Sequence, residues 1–190
     1  MDELFDLILE RLQGVSKIAF LGIGEEKLSD DGVGPYIISK LLSYNGKKFL
    51  FINAGIDPMS RIEEIIEFNP SHLILIDTCS LNKPPGTVSI IEREHFQEHV
   101  PISSHVIPIH VVVDLLLNQI PDLDVFMIGI VPKSLEGFDE LKLTKINWME
   151  PDIIEMNIDH PFFEIELTPI IKKTANELVK MIKKIILFFS

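Results

Sequence analysis

Apolar residues along the chain follow two alternating patterns. Short continuous runs, typical of buried strands, occupy residues 18–23, 48–53, 72–77, 87–91 and 124–130. Elsewhere apolar residues recur every three or four positions, as in helices that pack on a core, over about 33–43, 59–68, 108–119 and 169–187. Strands that alternate with helices are typical of a mostly parallel twisted sheet with helices on both faces. We therefore predict a three-layer α/β/α fold.

The length of the chain, 190 residues, suits one domain with a complete core, so we predict a single α/β domain over residues 1–190. The segment 132–166 departs from the alternation, because it is rich in acidic residues and contains the breakers Pro132, Pro151 and Pro161. We predict an irregular insertion there, either a solvated excursion or a flap that contacts a partner.

The first strand-like run ends in a Gly-x-Gly turn, Gly22 to Gly24, that resembles the start of a dinucleotide-binding unit. A phosphate-binding loop needs a third small residue and an electropositive helix start, whereas this loop has Lys27 at that position. Four carboxylates surround the lysine, at Glu25, Glu26, Asp30 and Asp31. The loop therefore favours a cation over a phosphate, and a nucleotide-binding α/β module becomes a minor alternative.

Composition and charge exclude several classes of partner. The formal net charge of −12 opposes nucleic-acid binding, which depends on lysine and arginine contacts to phosphates. No apolar run is long enough to span a bilayer, so we predict no membrane insertion. The first residues are acidic and lack the basic region of a signal peptide, so we predict a cytoplasmic protein.

The single cysteine, Cys79, excludes an internal disulfide and a cysteine-based zinc site. Cys79 follows a strand, where a nucleophilic thiol could lie with His105 as its base. However, lone cysteines usually behave as small buried apolar side chains, so we predict that role for Cys79 instead.

Two aspartates occupy positions where parallel sheets bind ligands. Asp31 lies in the loop after the first predicted strand, and Asp77 ends the third. Ligands of such sheets gather at the carboxyl ends of the strands, so both side chains are expected in the same crevice. Neighbouring carboxylates repel each other unless a proton or cation lies between them, although either residue alone could also be a helix cap or turn former.

His105 is the histidine best placed to join these carboxylates, since it lies in the loop that leads into the helix near Pro108. One nitrogen and two carboxylate ligands suit zinc or nickel better than calcium or magnesium, and three protein ligands leave room for water or substrate. The helix also contains His110 and Asp114, which we interpret as a buried hydrogen-bonded pair rather than a metal site. The other histidines are interpreted as solvent-facing (His95, His99), a turn residue (His72) and part of the insertion (His160).

Several motifs together carry a family resemblance. They are GIGEEKLSDDGVGP at 22–35, INAGIDP at 52–58, NPSHLILIDTCS at 69–80, PPGTVSIIE at 84–92, SSHVIPIHVVVDLL at 103–116, VFMIGIVPKSLE at 125–136 and LTP at 167–169. In order and spacing they cover most of the chain. By these motifs the chain resembles the hydrogenase maturation endopeptidases, and it is most similar to the branch that serves the membrane-associated, energy-converting hydrogenases.

The resemblance implies a protease that removes the C-terminal extension of a nickel-iron hydrogenase large-subunit precursor after nickel insertion. It implies that Asp31, Asp77 and His105 engage nickel supplied by the substrate, and that zinc or another divalent ion can substitute for it in vitro. Asp31 and Asp77 are then the candidate catalytic residues. Either the nickel polarises the scissile carbonyl or activates a water, or the two aspartates activate the water as an acid-type pair.

Some features differ from the usual family pattern. Glu25 replaces the common asparagine of the first turn, and Asn53-Ala54-Gly55 replaces Asp-Gly-Gly, so no carboxylate role is carried over there. The connection at 138–166 is longer than usual, which implies a different partner specificity. We expect a monomer whose partner is the hydrogenase precursor; the alternative is a non-catalytic protein that binds nickel or assists hydrogenase assembly.

Overall fold

Five strands form one sheet in the computed structural model, which describes residues 1–99, 107–135 and 166–190. The strands are β1 (Ile18–Ile23), β2 (Phe49–Gly55), β3 (His72–Thr78), β4 (Val88–Glu92) and β5 (Asp124–Ile130). Their order across the sheet is β2-β1-β3-β5-β4. All neighbours are parallel except β4, which pairs antiparallel with β5 at one edge. The predicted mostly parallel sheet is confirmed.

Helices cover both faces of this sheet. They are α1 (Asp2–Arg11), α2 (Val33–Ser39), α3 (Ile62–Phe68), α4 (Phe96–His99), α5 (Ile109–Gln119) and α6 (Pro169–Phe189). Buried side chains of α1, α2 and α6 share one core cluster with one face of the sheet, and those of α3, α4 and α5 share a second cluster with the other face. This arrangement confirms the three predicted layers.

The boundaries of two helices differ from the prediction. The helix expected to reach residue 43 ends at Ser39, and a separate 3-10 turn follows at Leu42–Tyr44. The helix expected from residue 59 begins as a 3-10 turn at Pro58–Arg61, where Asp57 caps the chain by accepting a hydrogen bond from the Ser60 N–H. Apolar spacing does not distinguish the last turn of an α-helix from a 3-10 turn, since both bury similar side chains.

The longest helix in the described ranges is α6, with 21 residues. One side of it is buried against the sheet, and its opposite side carries lysines such as Lys173, Lys180 and Lys184. Neither this helix nor any other in residues 1–99, 107–135 and 166–190 is long and apolar enough to cross a membrane.

The two central strands are buried on both faces. Every residue of β1 and β3 is buried, as expected for parallel strands covered by helices. Side chains alternate between the two clusters, so that Phe20 points toward α1, α2 and α6 while Leu21 points toward α3 and α5. On the first face Phe20 stacks on Phe51 of β2, with ring centroids 4.8 Å apart.

Two glycines let α2 pack directly on the sheet backbone. A Cβ atom on Gly34, in the first turn of α2, would lie 2.3 Å from the Ile76 carbonyl oxygen and 2.4 Å from that of Ile23. A Cβ atom on Gly22 of β1 would lie 2.6 Å from the Gly34 carbonyl oxygen. The start of α2 therefore lies across the carboxyl ends of β1 and β3, and the residues just before α2 must lie there too.

Charged residues join α1 to the opposite, amino-terminal edge of the sheet. The Arg11 guanidinium donates hydrogen bonds of 3.1 and 2.7 Å to the two Asp124 carboxylate oxygens and also bonds Glu92. It lies 4.4 Å from the centre of the Phe126 ring. His72, the first residue of β3, is buried beside this network, with its Nε2 3.7 Å from an Asp124 oxygen. His72 is thus a core strand residue rather than the predicted turn residue.

We expect Gly34→Ala to lower the free energy of unfolding by about 3 kcal/mol, because the methyl group meets rigid backbone oxygens rather than a movable side chain. Gly46→Ala is the matched control, since a Cβ there would meet only the Tyr44 carbonyl oxygen, at 3.9 Å. Urea unfolding followed by circular dichroism measures both variants. Equal stability of the two would contradict the close-packing argument.

Acidification should destabilise the fold through His72. Burial lowers the pKa of His72 below its ordinary value of 6.5, and the nearby Asp124 only partly opposes this. In the unfolded chain His72 therefore binds a proton near pH 6.5, whereas in the folded chain it binds one only at lower pH. Stability is lost as the pH falls below about 6.5. In His72→Gln, the unfolding free energy should change less between about pH 7.5 and 5.5 than in the native protein. An equal change in His72→Gln and in the native protein would contradict this role of His72.

Candidate active site

The acidic loop, residues 24–31, folds back on itself at the carboxyl end of β1. Gly24 has a φ of +125°, and a Cβ atom on it would lie 1.9 Å from the Asp31 carbonyl oxygen. Its N–H donates a hydrogen bond of 3.0 Å to the Gly55 carbonyl of β2, which anchors the start of the loop to the neighbouring strand. Only glycine fits this position, and the tight turn returns the chain to the top of the sheet at Asp31.

Both candidate catalytic aspartates are buried at this edge. Asp31 is 2% exposed, and one of its carboxylate oxygens accepts a hydrogen bond of 2.7 Å from the Glu25 N–H. Asp77 is 1% exposed, and its Oδ1 accepts one of 2.6 Å from the Thr78 N–H. A backbone N–H of the acidic loop thus orients the Asp31 carboxylate, and a backbone N–H at the end of β3 orients that of Asp77.

The hydroxyl of Thr78 joins the two aspartates. Its Oγ1 lies 3.5 Å from an oxygen of Asp31 and 3.4 Å from an oxygen of Asp77. Since a hydroxyl has one hydrogen, it can donate to only one of the two carboxylates at a time. The structure therefore brings Asp31 and Asp77 together, as predicted, in an arrangement that favours a shared proton or a divalent cation.

The third predicted ligand, His105, lies outside the described residues, and so does His160. Within residues 1–99, 107–135 and 166–190, no group of three histidine, cysteine, aspartate or glutamate side chains could hold a metal ion. The described start of α5 is informative all the same. Because α5 ends at Gln119, shortly before β5 begins at the amino-terminal edge, its first residue, Ile109, lies toward the carboxyl edge.

Asp30 has a role that the sequence did not reveal. It lies in the 3-10 turn Ser29–Gly32 before α2, where an acidic residue can favour the helix start by its charge. Yet its side chain is fully buried and accepts hydrogen bonds from the N–H groups of Lys133, Ser134 and Thr168 and from the Thr168 hydroxyl. Asp30 thereby connects three separate parts of the chain.

Cys79 is confirmed as a buried packing residue. It has no exposed surface, and its sulfur fits against Gly129 of β5, where a Cβ atom would lie only 2.9 Å from it. Burial, with a smaller contribution from Asp77, raises the pKa of Cys79 to about 12. The thiol is therefore protonated at neutral pH, which argues against a thiolate nucleophile.

The interpretation of His110 and Asp114 as a buried pair was wrong. Asp114 is exposed and forms a salt bridge of 2.9 Å with Arg93, which belongs to the polar segment before α4. The apolar helix pattern could not show this, because Arg93 comes from another element. In that segment His95 is exposed and His99 half-buried, in line with the expectation of a solvent-facing pair.

A pocket of about 700 Å³ opens beside the acidic loop. It is lined by residues 24–27 of the loop, by Pro35 and Tyr36 of α2, and by Leu167 and Lys172. Lys172 is paired with Glu166 at 3.1 Å on the rim. Glu25, which lines the pocket, donates its N–H to Asp31, so the pocket adjoins the loop that carries Asp31.

Comparison with known proteins agrees with this fold. The family model described as HycI, hydrogenase maturation protease, matches residues 35–158, more than half of the chain. A Methanocaldococcus jannaschii protein, provisionally named a hydrogenase maturation protease, is 30% identical over 139 residues, covering 69% of this chain and 81% of its own. The hydrogenase 3 maturation protease of Escherichia coli K12 is 28% identical over 118 residues, covering 62% of this chain and 74% of its own.

Solved structures extend the likeness to almost the whole fold. The crystal structure of the [NiFe] hydrogenase maturation protease HycI from Thermococcus kodakarensis superposes with a TM-score of 0.71, at 20% identity, over 95% of this chain and 98% of that one. The maturating endopeptidase HybD of E. coli superposes with a TM-score of 0.62, at 22% identity, over 87% and 89% of the two chains. At these identities the structural likeness concerns the fold.

The buried thiol should be unreactive in the folded protein. At about pH 8 we expect Cys79 to react with a disulfide reagent such as dithionitrobenzoate at least about 100-fold more slowly than in urea, because the sulfur is both covered and protonated. Release of the coloured thiolate, followed with time, measures both rates. Fast labelling of the folded protein would contradict the packing role and restore the thiol as a candidate nucleophile.

Proposed function

Because the chain belongs to the hydrogenase maturation protease family, we propose that it removes the C-terminal extension of a nickel-iron hydrogenase large-subunit precursor once nickel is in place. The observation that carries this proposal is the meeting of Asp31 and Asp77 around the Thr78 hydroxyl at the carboxyl edge of the sheet. The edge where parallel sheets bind ligands is also where a protein can present two carboxylates to a substrate.

In this proposal the nickel ion arrives as part of the substrate. Asp31, Asp77 and His105 contact it first as a check that the metal centre has been completed. The start of α5 toward the carboxyl edge supports the inclusion of His105, which precedes that helix in the sequence. Two oxygens and one nitrogen suit nickel, and zinc or another divalent ion can replace it in vitro.

Cleavage then needs an activated water at the scissile peptide bond. Along one route the nickel polarises the carbonyl or activates the water. Along the other, one aspartate takes a proton from the water while its partner holds one, as buried carboxylate pairs can. Thr78 serves both routes, because its hydroxyl can turn toward whichever carboxylate is ionised. The pocket beside the acidic loop gives the extension a place to lie.

A protein of another class would share the aspartates without cutting. A non-catalytic nickel-binding or assembly protein would bind the precursor and release no peptide. The convergence of both carboxylates on one hydroxyl favours the protease, since such a pair can activate a water as well as contact a metal. The cleavage experiment below separates the two classes.

The purified protein should release a short C-terminal peptide from nickel-loaded precursor and none from nickel-free precursor. Asp31→Asn, Asp77→Asn and His105→Ala should each lower the cleavage rate by about 100-fold or more, the usual contribution of an acid–base or metal-contacting group. Their stability should change by only about 0.5–3 kcal/mol, which leaves the protein folded. Mass spectrometry of the released peptide and urea unfolding measure the two effects.

Cys79→Ser is the matched control, because Cys79 directly follows the aspartate strand but has no assigned role in the chemistry. Its cleavage rate should stay close to that of the native protein. Tight binding of nickel-loaded precursor without any released peptide would favour the non-catalytic class. Unchanged cleavage in Asp31→Asn and Asp77→Asn would contradict the site itself.

A further inference from the structure

Asp30 and Asp31 are adjacent, yet their side chains serve different partners. Asp31 bonds the Glu25 N–H and approaches Thr78, both of which belong to the candidate site. Asp30 bonds Lys133 and Ser134, which follow β5, and Thr168, which caps the start of α6. One short turn therefore carries both a candidate catalytic carboxylate, Asp31, and a carboxylate that anchors the turn, Asp30.

The hydrogen bonds of Asp30 are close to ideal in length. Its Oδ2 accepts from the N–H groups of Lys133 at 2.8 Å and Ser134 at 2.9 Å, and from the Thr168 hydroxyl at 3.1 Å. Its Oδ1 accepts from the Thr168 N–H at 2.7 Å. The acidic charge is further favoured by its place at the amino-terminal end of the 21-residue α6, where the helix dipole is positive. A fully buried carboxylate is thus stabilised without a side-chain cation among these contacts.

We propose that Asp30 is a positioning residue for Asp31. By holding its turn to the exit of β5 and to the start of α6, the Asp30 carboxylate fixes the backbone from which Asp31 projects toward Thr78 and Asp77. The inference rests on the proposed function for its effect on cleavage, but its geometric part concerns this chain alone.

Asparagine at position 30 would keep the size of the side chain but lose part of its hydrogen bonding to Lys133, Ser134 and Thr168. Its single oxygen can serve one side of the donor set, whereas its NH₂ group would face N–H or O–H donors on the other. A buried donor without an acceptor is costly, so the turn should detach on that side. Thr168→Val is a milder change, because it removes only the hydroxyl donor and keeps the backbone N–H bond to Oδ1.

The experiment compares Asp30→Asn and Thr168→Val with Arg11→Gln, a variant weakened at the opposite edge of the sheet. Urea unfolding ranks the stabilities, and all assays are run where each variant is folded. Hydrogen–deuterium exchange of the Glu25 amide reports the position of Asp31, because the Asp31 carboxylate accepts a hydrogen bond from that amide. Cleavage of nickel-loaded precursor, resolved into kcat and KM, reports the functional effect.

We expect Glu25 exchange to be about 10-fold faster in Asp30→Asn than in Arg11→Gln, the fold-change of one lost charge-assisted hydrogen bond. The kcat for cleavage should fall by a similar factor, with Thr168→Val between Asp30→Asn and the native protein. If Asp30→Asn does not fold, Thr168→Val decides on the same two readouts. The proposal would be overturned if the Glu25 exchange rate and kcat changed only as far as stability does, so that Asp30→Asn and Arg11→Gln gave the same values.

Failure of the two proposals would look different. If the native protein releases no peptide from the nickel-loaded precursor, the proposed function falls, while Glu25 exchange still decides whether Asp30 positions Asp31. If the native protein cleaves and Asp30→Asn cleaves equally fast with an unchanged Glu25 exchange rate, the function stands and the positioning role of Asp30 is wrong.

Discussion

The close approach of α2 to the sheet is the constraint on which the candidate site depends. Gly22 and Gly34 let the helix start contact the backbone of β1 and β3, and Gly24 lets the preceding loop fold against Asp31. With a side chain at Gly22 or Gly34, α2 would have to move outward, and the turn that carries Asp31 would move with it. Asp31 would then lose its contact with Thr78, so the two carboxylates meet because backbone packs on backbone.

The charge of the acidic loop is tolerated because its members have different surroundings. Glu26 and Lys27 are exposed, where water screens them, and Glu26 also accepts a bond of 2.8 Å from Asn53. Asp30 is surrounded by donors, so its charge is satisfied internally and costs the fold little. Asp31 and Asp77 both approach the Thr78 hydroxyl, and two carboxylates this close together favour a proton or a cation between them. Within the acidic loop, Asp30 thus contacts structural partners, whereas Asp31 lies at the candidate site.

Apolar periodicity predicted the sheet and its layers because burial of β1 and β3 on both faces leaves long apolar runs in the sequence. The rule that ligands gather at the carboxyl ends of parallel strands also predicted that Asp31 and Asp77 would meet. It could not predict the structural role of Asp30, because this side chain binds backbone N–H groups 103 and 138 residues away. Almost every residue type has a backbone N–H, so the sequence does not show which ones act as donors. The pairing of Asp114 with Arg93 was missed for a related reason, because a partner on another element has no fixed spacing.

Each edge of the sheet has its own group of charged hydrogen bonds, and only one of the two groups lies beside the candidate site. At the amino-terminal edge, opposite the aspartates, Arg11 ties α1 to β4 and β5 through Glu92 and Asp124. At the carboxyl edge Asp30 ties the acidic loop to β5 and α6. Both are multiple hydrogen bonds to charged groups, so substitutions at either edge should lower stability. Only the second lies one peptide bond from a candidate catalytic residue, so equal losses of stability at the two edges should have unequal effects on the chemistry.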